Sequence, residues 1–308
     1  MFDSFGYSNF LIDRYVSLFG KNEAKELVRA NQSSARRAIR INTLKVKRGD
    51  CVNRLKRQGF KLSQVPWCKN GFFVDKKRKS LAATTEYMLG YYYIQDASSM
   101  LPAEALNPRE EDMVLDMAAA PGGKTTHISQ LMNNQGIVAA LDINREKMQG
   151  LRSNIQRLDV RNVAMYRMDA KDAGDLGVKF SKILVDAPCS GSGTIMKNPE
   201  RKKITQKDID HYSSLQKELF SKAVKLLKKN GELVYSTCSL EPEENEEIVE
   251  WALNKFKLSL IPVKARGVSR GLTRFFGASH SSQLSKCVRF YPHVQKTQGF
   301  FLAKFKKN

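Results

Sequence analysis

The chain alternates between stretches whose apolar residues recur every three or four positions and short runs that are apolar throughout. Residues 9–27 keep helical spacing, and Ile39-Arg40-Ile41-Asn42-Thr43-Leu44-Lys45 alternates as a short strand does. A second helical stretch covers about 50–58, and extended pieces follow at 60–65 and 71–74. That order predicts a small α+β module over residues 1–100. From residue 113 the texture changes. Apolar runs at 113–117, 137–142, 163–167, 182–186, 232–236, 258–262 and 300–305 alternate with helical segments. Within 207–228, Ile209, Tyr212, Leu215, Leu219, Ala223 and Leu226 share one helix face, and Asn230-Gly231 reads as the stop. Strands that are apolar throughout and separated by helices predict a parallel sheet covered on both faces. The expected fold class for residues 101–308 is α/β, doubly wound.

Composition narrows the setting. With 308 residues, 42% of them hydrophobic, the chain can bury a sizeable core. No apolar run approaches the ~20 residues of a membrane span, and Met1-Phe2-Asp3 begins no signal peptide, so a soluble, cytoplasmic protein and a monomer are expected. The five cysteines are Cys51, Cys68, Cys189, Cys238 and Cys287. Their odd number and the lack of a CxxC pair argue against a disulfide framework or a zinc finger, and no metal is expected.

Charge adds a partner class. The net charge is +21, distributed unevenly. Residues 1–100 hold 19 Lys/Arg against 8 Asp/Glu, residues 101–250 hold 21 against 23, and the last 58 hold 12 cations and no acid. A near-neutral centre between two basic flanks predicts chemistry in the centre and a polyanion, a nucleic acid, on the flanks. Arg36, Arg37 and Arg40 crowd one segment and are the candidate RNA contacts. The bland alternative is a solvated helix face.

The first strand of the second region runs into Ala118, Ala119, Ala120, Pro121, Gly122, Gly123 and Lys124, then a helix. Small residues at the carboxyl end of such a strand let backbone approach a ligand. The loop is not a phosphate loop, because GxxxxGK[ST] needs glycine where Ala118 stands, and it is not GxGxxG. Asp142 closes the second strand, where an acid can accept both ribose hydroxyls, and Asp169 closes the third, where an acid can meet an adenine amino group. A loop and two acids on consecutive strands describe a nucleoside cofactor without phosphates, S-adenosylmethionine. The alternative reading makes both acids ordinary turn residues.

Two cysteines stand at strand ends: Asp186-Ala187-Pro188-Cys189-Ser190-Gly191-Ser192-Gly193 after the fourth strand and Ser236-Thr237-Cys238-Ser239 after the fifth. Carbon 5 of a pyrimidine is a poor nucleophile until a thiolate adds at carbon 6. A second thiol suits the elimination that follows methyl transfer, and Asp186 is placed to stabilise the adduct near ring nitrogen 3. Cys51, Cys68 and Cys287 read as small buried hydrophobes.

These blocks, with Arg40-Ile41-Asn42-Thr43-Leu44-Lys45, Tyr93-Ile94-Gln95-Asp96-Ala97-Ser98-Ser99, Glu244-Asn245-Glu246, Arg289-Phe290-Tyr291-Pro292-His293 and Gly299-Phe300-Phe301, resemble the Nop2/Sun (RsmB/NOP) family of RNA cytosine-C5 methyltransferases. The resemblance covers nearly the whole chain and looks strongest to compact archaeal tRNA-type members. It implies a Rossmann-like, class I S-adenosylmethionine-dependent core behind a small α+β RNA-binding module. It implies Cys238 as nucleophile, Cys189 in product release, and Asp186 and Lys124 in the catalytic set. Ala118 to Lys124, Asp142, Asp169 and Asp186 would bind or orient cofactor and base, and Lys147 matches a basic cofactor contact of some members. The expected reaction is methylation of cytosine carbon 5 in RNA, tRNA first and ribosomal RNA as the alternative. A non-catalytic RNA-binding factor and a DNA cytosine methyltransferase are the rival readings. The N-terminal module is expected to add little to methyl-donor binding.

Overall fold

The computed structural model describes residues 5–76 and 80–308; the Met1-Phe2-Asp3 start lies outside them. The chain opens with α1 (Asn9–Ala30), whose first turn is capped where Ser8 Oγ accepts the Leu11 N–H. A four-stranded sheet follows, built from β1 (Ala38–Ile41), then α2 (Arg48–Arg57), β2 (Lys61–Gln64), β3 (Gly71–Lys76), α3 (Thr85–Met88) and β4 (Tyr92–Ile94). Its order is β2-β3-β1-β4, antiparallel throughout, as expected for an α+β module.

Next come α4 (Leu101–Leu106), β5 (Met113–Asp116), α5 (Gly123–Leu131), β6 (Ile137–Asp142), α6 (Arg145–Arg157), β7 (Val163–Arg167), β8 (Phe180–Asp186) and α7 (Gln206–Leu226). The chain finishes with β9 (Leu227–Thr237), α8 (Glu246–Lys255), β10 (Leu258–Ile261), β11 (Ser269–Arg270), a hairpin of β12 (Arg274–Phe275) and β13 (Ala278–Ser279), β14 (Val288–Phe290), α9 (Pro292–Gln295) and β15 (Phe300–Lys307). The large sheet runs β11-β14-β15-β9-β8-β5-β6-β7, with β10 also on β15.

Two expectations need correction here. The strands β7-β6-β5-β8-β9 are parallel, but β15, β14, β11 and β10 are antiparallel, so the sheet is mixed. An unbroken apolar run reports burial on both faces and carries no information about strand direction. Nor do Asn230 and Gly231 stop α7. The helix ends at Leu226 and the chain enters β9 directly; Asn230 and Gly231 lie within β9, where the register against β8 shifts between Phe180 and Lys182.

The hydrophobic core crosses the expected boundary at residue 100. Val65, Trp67 and Phe73 from the small sheet pack in one cluster with Val114, Leu184 and Phe290 of the large one. Trp67 sits 4.8 Å from the Phe290 ring and donates its indole N–H to the Ala97 carbonyl at 2.7 Å. Each such side chain contributes roughly 1.5–3 kcal/mol by leaving water, so the two sheets are not independent bodies. Behind the sheet, the fully buried Arg289 guanidinium pairs with Glu246 and donates to the Leu240 carbonyl at 2.9 Å, a structural role for the Arg289 motif. Among the described residues no helix is long and apolar enough to cross a membrane.

Candidate active site

Strand order makes the site. β5 is followed outward by β6 and β7, and the chain then crosses to β8 on the other side of β5, so a crevice opens at the carboxyl ends of β5 and β8. The loop of residues 117–122 enters it. Gly122 has φ +103°, and a Cβ there would lie 2.8 Å from Leu151 Cδ1, so only glycine lets the loop press onto α6. Asp142 holds the loop from the next strand: Oδ2 accepts the Ala120 N–H at 3.1 Å and Oδ1 the Asn144 N–H at 2.9 Å. Each oxygen has acceptor capacity beyond these bonds. Asp169 is half-buried and also serves its turn, accepting the Lys171 N–H at 2.9 Å. Both acids thus serve as turn residues, and both also line one cleft. Lys147 is exposed on the rim, in the first turn of α6.

These residues line a cleft of about 660 Å³, bounded by Ala118, Asp142, Ile143, Asp169, Pro188 and Cys238 among others. Its chemistry fits a nucleoside sulfonium: two carboxylates for hydroxyl and amino groups, apolar walls from Ile143 and Leu215, and small residues of the loop at Ala118 and Ala120. A second cleft of about 580 Å³ lies across Lys124 and is lined by Tyr93, Asp96, Lys197 and Gln298. The two clefts share Ala118, Ala120 and Asp186.

Both thiols line the first of these clefts. Cys189 and Cys238 are half-buried, with sulfurs 3.2 Å apart. The hydrogen bond between them splits their acidities: it lowers the Cys238 pKa below the usual thiol value despite burial, with Lys124 helping. The same bond, and then burial, pushes Cys189 well above it. Lys124 Nζ lies 2.6 Å from Asp186 Oδ2, and Ser236 Oγ donates to Asp186 Oδ1 at 2.7 Å. Burial opposes the charge on Lys124, but Asp186 outweighs it and raises its pKa. The arrangement supplies two thiols of unequal acidity and an oriented ion pair.

A glycine fixes where the first thiol loop lies. A Cβ on Gly193 would come 2.5 Å from the Gly299 carbonyl oxygen and 2.7 Å from that of Cys238. Its own N–H donates to Cys238 O at 3.0 Å, and its carbonyl accepts the Gly299 N–H at 2.8 Å. The Gly299 motif is thus a backbone seam against the cysteine loops.

The three arginines separate. Arg37 is exposed and, with Arg36, lines a third cleft that shares Gln95, Asp96 and Lys197 with the second. Arg36 is partly engaged, donating to Asp75 and Ser63 and lying 4.0 Å over the Phe73 ring. Arg40 is a correction: it is fully buried and cannot reach RNA. It donates to Gln95 Oε1 at 2.7 Å, the Gly123 carbonyl at 2.6 Å, Thr126 Oγ1 at 2.9 Å and Gln130 Oε1 at 3.1 Å, tying β1 to the start of α5. Burial pulls its pKa down to about 10, so it remains a cation at neutral pH. Cys51, Cys68 and Cys287 are buried, as expected.

Sequence reasoning missed Asp116 and Ser236. Asp116 ends β5 fully buried, accepts from Thr125 Oγ1 at 2.8 Å and leaves Oδ1 without a partner among the described residues. Burial pushes its pKa up to about 6, and the Asp186 charge adds to that. Its position at the end of the first apolar strand was the available signal. Ser236 had none beyond its place two residues before Cys238.

Known proteins match this architecture. Residues 103–306 match the family described as 16S rRNA methyltransferase RsmB/F, and residues 8–97 match the N-terminal domain of 16S rRNA methyltransferase RsmF. The chain is 40% identical over 309 residues to the 28S rRNA (cytosine-C(5))-methyltransferase of Mus musculus, covering 98% of this chain and 39% of that protein. It is 38% identical over 288 residues to the ribosomal RNA small subunit methyltransferase F of Vibrio cholerae, covering 92% of this chain and 60% of that one. The chain thus spans well under two thirds of these relatives. The crystal structure of a methyltransferase homolog protein from Pyrococcus horikoshii superposes with a TM-score of 0.93 at 43% identity, over 99% of this chain and 97% of that one. Matched end to end by that fold and by both family models, with a cleft suited to S-adenosylmethionine as cofactor, the chain belongs to the RsmB/F (Nop2/Sun) family of RNA cytosine-C5 methyltransferases.

Proposed function

We propose that this chain transfers a methyl group from S-adenosylmethionine to carbon 5 of a cytosine in ribosomal RNA, through a covalent bond from Cys238 to carbon 6. The observation that carries the reading is the unequal thiol pair, 3.2 Å apart in the first cleft, whose wall it shares with Asp186 of the Lys124–Asp186 pair. Ribosomal RNA is favoured over the transfer RNA expected from sequence because the relatives' names specify it. The basic flanks report phosphate and not the identity of the RNA. A cytoplasmic location and a monomeric state belong to the same proposal.

The order of events follows from the side chains. The Cys238 thiolate forms a bond to carbon 6, and the displaced π electrons make carbon 5 nucleophilic. Charge arriving at nitrogen 3 and oxygen 2 of the ring meets the Lys124 ammonium, which Asp186 holds in place before the reaction. Bound S-adenosylmethionine supplies an electrophilic methyl carbon. Carbon 5 then carries a hydrogen that must leave as a proton while the bond to Cys238 breaks. Cys189 suits that step: with Cys238 bonded to carbon, the hydrogen bond that held the proton on Cys189 is lost. Cys189 releases that proton to water through the open cleft and accepts the one from carbon 5. Cys238 departs with the bonding pair as a thiolate.

The test separates the cysteines. Cys238→Ala should lose turnover by more than ~10³-fold and form no covalent RNA adduct. Cys189→Ala should accumulate an adduct, a slow band on a denaturing gel that RNase removes. Methyl incorporation, located by bisulfite sequencing, should appear on ribosomal and not on transfer RNA transcripts. Adduct from Cys238→Ala alone would move the attack to Cys189, and near-normal turnover from both would reject the site.

A further inference from the structure

We infer that Glu244 is the positioning residue that holds the two thiols in contact, by bonding to the residue that follows each of them. The inference rests on the two-cysteine reading above and extends it to a side chain outside both clefts. Glu244 is fully buried just beyond β9, in the short turn that leads into α8. Its Oε2 accepts the Ser190 backbone N–H at 2.9 Å and the Gln216 amide at 3.0 Å. Its Oε1 accepts the Ser239 hydroxyl at 2.7 Å and the Ser190 hydroxyl. Ser190 follows Cys189 and Ser239 follows Cys238, so one carboxylate is bonded to both cysteine loops, 54 and 5 residues away in sequence.

Burial raises the Glu244 pKa, and the bonds from Ser190, Ser239 and Gln216 oppose that rise. Ser239 Oγ also accepts the Glu241 N–H at 3.0 Å. Four donors onto two oxygens match the acceptor capacity of a carboxylate. Gln216 extends the clamp to α7, because the same amide donates to the Pro188 carbonyl at 2.9 Å, directly before Cys189. From the other side the Tyr235 hydroxyl donates to the Glu244 carbonyl at 2.6 Å, which fixes the backbone that carries the carboxylate. A buried, fully bonded anion at the hinge of both loops resists their separation, since every bond it loses leaves an unsatisfied charge in the interior. Glu244 also acts on the thiols electrostatically: its charge opposes ionisation of both Cys189 and Cys238. The clamp therefore trades thiol acidity for thiol spacing.

The experiment reads spacing and charge without RNA, so its failure is distinguishable from failure of the methyltransferase reading. In the full-length protein, copper(II)-phenanthroline oxidises neighbouring thiols to a disulfide, each pair losing two protons and passing two electrons to two copper(II) ions. Glu244→Ala should form the Cys189–Cys238 cross-link, quantified by peptide mass spectrometry, ~10-fold or more slowly than wild type. Glu244→Gln keeps the shape and removes the charge. Its Cys238 should be alkylated by iodoacetamide with a pH profile displaced to lower pH, a displacement that general loosening would not produce. Glu244→Asp, a shortened carboxylate, should restore the wild-type profile but only part of the cross-linking rate. If Glu244→Ala does not melt cooperatively, Ser239→Ala removes one arm of the clamp and should slow cross-linking by a smaller factor. Wild-type cross-linking in every folded variant, or an unchanged alkylation profile in Glu244→Gln, would overturn the inference.

Discussion

Replacing Arg40 distinguishes a strut from an RNA contact, two roles that sequence cannot separate. Arg40→Ala removes a cation that satisfies four buried acceptors, three of them in α5. Leaving a buried acceptor unpaired costs ~1–3 kcal/mol, so four together cost ~4–12 kcal/mol. Removing the guanidinium also relieves its own desolvation penalty, of several kcal/mol, which leaves a net loss of about 3–5 kcal/mol. Set against typical stabilities of about 5–15 kcal/mol, that is a large fraction. Urea denaturation followed by tryptophan fluorescence should show a lower midpoint at unchanged slope. Exposed Arg37 makes the contrast. Arg37→Ala should change stability by less than ~0.5 kcal/mol, weaken RNA binding and reduce the slope of log affinity against log salt by about 1. The reasoning fails if Arg40→Ala is as stable as wild type but binds RNA less tightly.

Two further expectations follow from the carboxylates. Asp142→Ala should weaken S-adenosylmethionine ~30- to 150-fold by calorimetry, from the ~2–3 kcal/mol of a contact to an ionised acceptor; unchanged affinity would remove Asp142 from the site. Asp116 has a folded pKa raised by burial from 3.8 to about 6, so its contribution to stability is complete below the unfolded value and is lost as pH rises through 6. The stability difference between wild type and Asp116→Asn should therefore shift by roughly 2 kcal/mol in favour of wild type between pH 7 and pH 4; a difference independent of pH would refute the buried charge.

The parts of the site that sequence made legible are those governed by local rules. Asp142, Asp169 and both cysteines stand at the ends of parallel strands, and strand ends of an open α/β sheet converge on one crevice whatever the rest of the chain does. What escaped notice depends on distant partners. Arg40 sits in a basic stretch with the same composition as its exposed neighbour Arg37, and only the packing of β1 against α5 buries one and not the other. Glu244 lies in an acid-rich run that the sequence marks only as one of the family-like blocks. Its burial follows from a loop more than 50 residues earlier that returns beside it. Strand direction at β10 and β15 escaped for a different reason, because hydrophobic periodicity is the same for either direction.

The same long-range packing decides how far the N-terminal residues can be dispensed with. A chain beginning at Tyr91 would lose α1, whose Leu11, Tyr15 and Leu27 pack against Ile195, Leu240 and Tyr291 of the other half. It would also lose Arg14, whose Nε lies 2.6 Å from Glu241 Oε2, while Glu241 is itself fully buried. Removing one partner of a buried ion pair costs about 3–5 kcal/mol, and the loss of Arg40 adds a similar amount at the cofactor loop. Together these match the whole stability of an ordinary domain. Residues 91–308 alone should therefore show no cooperative melt and no measurable S-adenosylmethionine binding, contrary to a module that serves RNA alone. A soluble fragment that melts cooperatively and binds the cofactor with wild-type affinity would show that the N-terminal residues are an accessory to the catalytic fold, and that the buried contacts of Arg14 and Arg40 contribute far less than their geometry implies.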